Sequence, residues 1–151
     1  MNIEEILKKT SEIIDSNQNR NEILHRVANL LKEEVAHYDW VGFYIFDKQS
    51  QTLILGPYVG KATEHTHIPI GKGVCGQVAQ NKQTMIVQDV SIIDNYIACS
   101  LDVLSEIVVP IILDDEFVAE IDIDSHAQAP FTNADKELLE QIALKLKPLF
   151  V

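Results

Sequence analysis

Hydrophobic positions follow a helical rhythm at both ends of the chain and form strand-like runs between them. Over residues 3–36, Ile6, Ile13, Ile14, Leu24, Val27, Leu30 and Leu31 recur at steps of about three or four, the spacing of one helix face. The polar stretch Ser16-Asn17-Gln18-Asn19 interrupts that rhythm and predicts two helices. Residues 40–46, WVGFYIF, are aromatic and β-branched and predict a strand. A second short run over 52–55 follows polar residues, so the pair predicts an antiparallel hairpin whose second strand stops at Gly56-Pro57. Residues 58–67 read as a polar loop, 74–81 as a short helix, 84–87 as a strand and 88–104 mostly as loop. Strands over 106–113 and 117–124 flank a tight turn at Asp114-Asp115. Thr132 followed three residues later by Asp135 has the form of a capping box, with Asp in place of Glu, and opens a helix over 132–147. The expected architecture is α/β (α+β): a central, largely antiparallel sheet with N- and C-terminal helices packed on it. The whole of 1–151 is expected to be one domain, with sheet and site loops within 39–125.

Composition narrows the function classes. The chain has 151 residues, 46% of them hydrophobic, enough for a core without staples. The formal net charge of -11 opposes binding to phosphate backbones, so neither nucleic acid nor an anionic membrane is an expected partner. The amino terminus, MNIEEILKKTSEIID, lacks the pattern of a secretory signal, and no apolar run approaches the roughly 20 residues of a membrane span. A cytoplasmic protein with two reduced cysteines is therefore expected.

Chemistry is expected around those cysteines. Cys75 lies in GKGVCG, a glycine-rich turn opening a helix, where backbone N–H groups and Lys72 would lower the thiol pKa. The alternative is a small buried cysteine in a tight turn. Cys99 lies in the irregular segment NYIACS, where packing is a weaker explanation. Glu106 opens an apolar run. Asp122 and Asp124, two apart in a strand, share a face with Glu120, while Ile121 and Ile123 turn to the core. That acidic face is either solvated or built for a cation such as an ammonium group or a metal. A carboxylic acid in a dry pocket also holds a transferable proton, which thiol attack on a sulfoxide requires. Trp40 and Tyr44 share a strand face and offer an aromatic wall for a methyl or thioether group, or else core packing. His65 and His67 lie in one loop without a third ligand, a weak metal signal.

The segments DWVGFYIF, LILGPYVGK, IPIGKGVCG, QDV, IACS, SEIVVPI and EIDIDS occur in that order over roughly residues 39–125. With them the chain resembles the GAF-domain free methionine-(R)-sulfoxide reductases. The resemblance implies a six-stranded antiparallel GAF sheet, commonly in a homodimer. It implies reduction of the R epimer of free methionine sulfoxide, with no metal or organic cofactor. Cys99 matches the family's catalytic cysteine. Glu106, Asp122 and Asp124 match the carboxylates that hold the substrate and its sulfoxide oxygen, and Trp40 and Tyr44 match the aromatic side of the pocket. Many members carry a further cysteine in the loop that here reads GKATEHTHIP, so one of the family's three cysteines is lacking. Either Cys75 or an external thiol would resolve oxidised Cys99, and a thioredoxin-like dithiol would complete the cycle. Backbone N–H groups in the 75–77 turn are candidates for the substrate carboxylate. The rival readings are a small-molecule-sensing GAF module without turnover and a thiol redox sensor. The chain's end at Val151, with no signalling domain, favours the enzyme.

Overall fold

The computed structural model describes residues 1–93 and 102–151, so the expectations placed on Cys99 and its neighbours lie outside the described residues. Two helices come first, α1 (Ile3–Ile14) and α2 (Arg20–Glu34), capped by the side chains of Asn2 and Asn19. The polar 16–19 stretch separates them, and Asn17 takes a positive φ there. Then follow β1 (Trp40–Asp47), β2 (Thr52–Val59), β3 (His67–Pro69), α3 (Gly73–Asn81) and β4 (Met85–Val87). A short 3-10 turn at Val90–Ile92 precedes β5 (Ser105–Leu113), β6 (Glu116–Ser125) and α4 (Asn133–Leu146). The strands form one sheet in the order β3-β2-β1-β6-β5-β4, antiparallel at every neighbouring pair.

The hairpin of β1 and β2 corrects one expectation. β2 does not stop at Gly56-Pro57 but runs on to Val59. Its register against β1 shifts between Gly42 and Tyr44, so Gly56 and Pro57 together face Phe43. A proline has no N–H to give a ladder, and a bulge is where that lack is tolerated. The β5–β6 turn follows the sequence reading: Asp114 and Asp115 both have positive φ and close a two-residue hairpin.

The sheet separates two hydrophobic clusters. On one face, Val41, Phe43, Ile107, Val109, Ile121 and Ile123 pack with buried residues of α1, α2 and α4. On the other, Trp40, Tyr44, Leu53 and Val108 pack with Val74, Cys75 and Val78 of α3. The capping box at Thr132 forms as expected. Asp135 does more than cap: it is buried, and its Oδ1 accepts from Tyr38 Oη (2.7 Å) and lies 2.8 Å from His37 Nε2. It thereby ties the start of α4 to the connection entering β1.

Candidate functional site

Strand alternation and register build the site. Glu120, Asp122 and Asp124 point to the α3 side of β6, away from Ile121 and Ile123. Across the ladder with β1, Trp40 faces Asp124, Gly42 faces Asp122 and Tyr44 faces Glu120. Across the ladder with β5, Glu106 faces Asp124 and Val108 faces Asp122. Cross-strand partners of this kind lie about 5 Å apart at Cβ. The register therefore sets a row of carboxylates between an aromatic wall and Glu106. All four carboxyl groups are buried, none more than 3% exposed.

The aromatic wall is held by close packing. A Cβ at Gly42 would stand 2.3 Å from Trp40 Cη2, so the bare backbone there is the bed on which the indole lies. Tyr58 stacks on the indole, with ring centroids 5.3 Å apart and planes 19° from parallel. Trp40 Nε1 donates to the Lys61 carbonyl at 3.0 Å, and Tyr44 Oη donates to the His65 carbonyl at 2.8 Å. Both rings thus bind the loop that joins β2 to β3.

The glycine-rich segment brings in the thiol. Gly76 has space for no side chain, because a Cβ would come within 2.6 Å of the Pro69 carbonyl. This close approach lets α3 start directly against the sheet and drives Cys75, in its first turn, onto the carboxylates. Cys75 Sγ donates to Glu106 Oε2 at 3.9 Å. Sγ and carboxylate oxygens of Glu106 and Asp122 all lie within 4.8 Å of one another. Tyr44, Ile68, Lys72, Cys75, Glu106 and Asp122 line a cavity of about 10 Å³, room for about one water molecule. The groove of about 440 Å³ between Lys82–Thr84 and α4 contains none of these groups.

The electrostatics correct the expectation for Cys75. Burial pushes its thiol well above the usual range, and Asp122, Glu120 and Glu106 push it the same way. The helix start and Lys72 do not make it a thiolate, because a dry site among carboxyl groups disfavours any further negative charge. Burial also raises Glu120 well above the carboxylate range, with Asp122 adding to the rise, and burial raises Asp122. Neither carboxylate oxygen of Glu120 and not Oδ1 of Asp122 has a hydrogen-bond partner among the described residues. The acidic face is thus not a solvated one. Burial there disfavours negative charge on Glu120 and Asp122.

The GAF domain family model matches residues 19–146. Over 124 residues the chain is 36% identical to the free methionine-R-sulfoxide reductase of Escherichia coli (strain K12), a match spanning 82% of this chain and 73% of that protein. It is 46% identical over 107 residues to the free methionine-R-sulfoxide reductase of Saccharomyces cerevisiae, spanning 70% of this chain but only 59% of the yeast protein. The X-ray structure of free methionine-R-sulfoxide reductase from Neisseria meningitidis in complex with its substrate superposes with a TM-score of 0.93 at 35% identity, covering 98% of this chain and 87% of that one. The chain belongs to the free methionine-R-sulfoxide reductase family of GAF domains.

Within this family fold, Trp40, Tyr44, Cys75, Glu106, Asp122 and Asp124 converge on one side of the sheet. His65 and His67 do not join them: His65 contributes its carbonyl to Tyr44, and His67 Nδ1 pairs with Thr66 Oγ1 at 3.0 Å. The N–H of Gly76 is committed to the Lys72 carbonyl at 2.8 Å. The first α3 N–H groups outside the helical ladder are therefore those of Gly73, Val74 and Cys75, earlier in the chain than expected. Sequence reasoning missed Tyr58, because ending β2 at Gly56-Pro57 consigned it to a loop. Its place beside the indole is set by the cross-strand register, Gly42 facing Tyr58 after the bulge, which lies in no adjacent pair of residues.

Among the described residues no helix is long and apolar enough to cross a membrane.

Proposed function

We propose that this protein reduces free L-methionine (R)-S-oxide to methionine with a cysteine thiolate. The observation that carries this reading is the row of buried carboxylates on β6, flanked by Trp40 and touched by a thiol, in a chain of this family. The substrate's ammonium group lies near the acidic strand β6, which carries Glu120, Asp122 and Asp124, and its methyl group lies against Trp40. The N–H groups at the start of α3 suit the substrate carboxylate. The cavity widens to admit the amino acid, since about 10 Å³ accommodates only one water.

In this scheme the Cys99 thiolate attacks the sulfoxide sulfur. Glu106 or Asp124, as the carboxylic acid, gives a proton to the oxygen. The sulfur–oxygen bond of the substrate breaks, methionine leaves two electrons richer, and Cys99 becomes a sulfenic acid. The Cys75 thiol condenses with that acid, releasing water and forming a disulfide. A thioredoxin-like dithiol reduces the disulfide and becomes oxidised in turn. A protonated Cys75 suits this order of events: it is no competitor for the sulfoxide, and it reacts only after Cys99 has been oxidised. The family resemblance supports a homodimer, which light scattering of the purified chain tests.

The test is turnover of the R and S epimers of free methionine sulfoxide with dithiothreitol. The expected result is reduction of the R epimer alone, abolished by Cys99→Ser. Cys75→Ser is expected to keep turnover with dithiothreitol and lose it with thioredoxin. No turnover of either epimer by folded protein would overturn the reading and favour a sensing module.

A further inference from the structure

We propose that Cys75, Glu106 and Asp122 form a binding site for a thiophilic divalent cation, Zn²⁺ in the simplest case, which occupies the pocket in place of the amino acid. The three side chains come from α3, β5 and β6 and present one sulfur and two carboxylates. Their ligand atoms lie within 4.8 Å of one another, and Sγ stands 3.9 Å from Glu106 Oε2. A zinc ion binds sulfur at about 2.3 Å and carboxylate oxygen at about 2.1 Å, which in a tetrahedral site sets the two ligands roughly 3.6 Å apart. A contraction of a few tenths of an ångström therefore closes this pair around one ion.

Glu120 is the second, independent observation. Its side chain is fully buried, both its oxygens are without hydrogen-bond partners among the described residues, and it acts electrostatically on Cys75. It stands two residues from Asp122 on the same face of β6, beside the three ligands. Neither Glu120 nor Asp122 has an ion-pair partner among the described residues. The thiol ligand and the cavity of about 10 Å³ favour a small soft-accepting ion over Mg²⁺ or Ca²⁺, which call for more oxygens and retained water. Binding converts the Cys75 thiol to its thiolate and releases that proton to solvent, with no change of oxidation state. Loss of methionine sulfoxide turnover on zinc binding rests on the proposed function; the binding itself does not.

The experiment titrates the full reduced chain with Co²⁺, its thiols kept reduced by a phosphine, and follows the thiolate-to-cobalt charge-transfer absorption. One equivalent is expected to produce the band, and Zn²⁺ is expected to displace it. Cys75→Ser should remove the band, Cys99→Ser should leave it, and Asp122→Asn should keep it while weakening the affinity about 10- to 100-fold. Absence of a band in the natural chain, or a band that survives Cys75→Ser, would overturn the site. Should Cys75→Ser not fold by circular dichroism, Asp122→Asn decides: an unchanged affinity would overturn it. In the natural chain Zn²⁺ should also stop sulfoxide turnover, and a chelator should restore it. A chain that binds Co²⁺ through Cys75 but turns over no sulfoxide would retain this inference and remove the reductase reading.

Discussion

Along β6 the side chains divide residue by residue between two kinds of interior. Ile121 and Ile123 turn toward α1, α2 and α4 and enter an apolar cluster. Glu120, Asp122 and Asp124 turn toward α3 and are buried just as deeply. The helical face gains from every methylene it hides. The α3 face hides carboxyl groups, which lowers stability unless something positive or a proton accompanies them. The same strand thus carries the stabilising and the functional half of the molecule in alternate residues. On that second half Glu120 and Asp122 bury oxygens that no described residue satisfies and that a bound cation would.

Removing the side that stabilises should have the largest effect. Ile123→Ala leaves a cavity under the helices and is expected to cost about 3 kcal/mol of folding stability, measured by urea unfolding. A cost under about 1 kcal/mol would mean that the two faces do not differ as described. Removing a group from the other side should have the opposite sign. Glu120→Gln is expected to stabilise the ligand-free protein by roughly 1–2 kcal/mol near neutral pH. The sign follows from its raised pKa. The folded state keeps a proton that the unfolded chain has released, so the natural chain loses stability as pH rises from the ordinary carboxylate range toward the folded pKa. Thermal melts at acid and at neutral pH should therefore show a Glu120→Gln advantage that grows with pH. An advantage independent of pH would contradict a buried, protonated Glu120. The smallest effect is expected at the wall. Trp40→Phe removes the Nε1 bond to the Lys61 carbonyl and should cost about 1 kcal/mol of stability. It should also raise KM for the sulfoxide more than it lowers kcat.

Much of this was legible in the sequence, for identifiable reasons. The amphipathic helices, the Asp114-Asp115 hairpin and the Thr132 capping box rest on local chemistry, and local chemistry is written in adjacent residues. The alternation of Ile121 and Ile123 with the carboxylates also revealed which acids would share a face. Three things depended on partners distant in sequence. The extension of β2 past Gly56-Pro57 is decided by the bulge opposite Phe43. The protonated state of Cys75 is decided by its burial and by Glu106, Glu120 and Asp122 arriving from two strands, against the pull of its own helix start. The burial of the acidic face is decided by α3 closing over it, which the run EIDIDS alone could not distinguish from a solvated edge. Asp135 shows the same limit on a smaller scale: the cap was visible, but its bonds to Tyr38 and His37 were not.

The most direct test of the central claim measures what the carboxylate row recognises. Cys99→Ser protein, in which the sulfoxide should not be consumed, is melted with free methionine-(R)-sulfoxide and with its N-acetyl derivative, which lacks the ammonium group. If the buried carboxylates of β6 exist to receive that ammonium, the free amino acid raises the Tm in a concentration-dependent way and the N-acetyl compound does not. Equal stabilisation by both would show that the carboxylates do not read the ammonium group, and the account of the α3 face would fail.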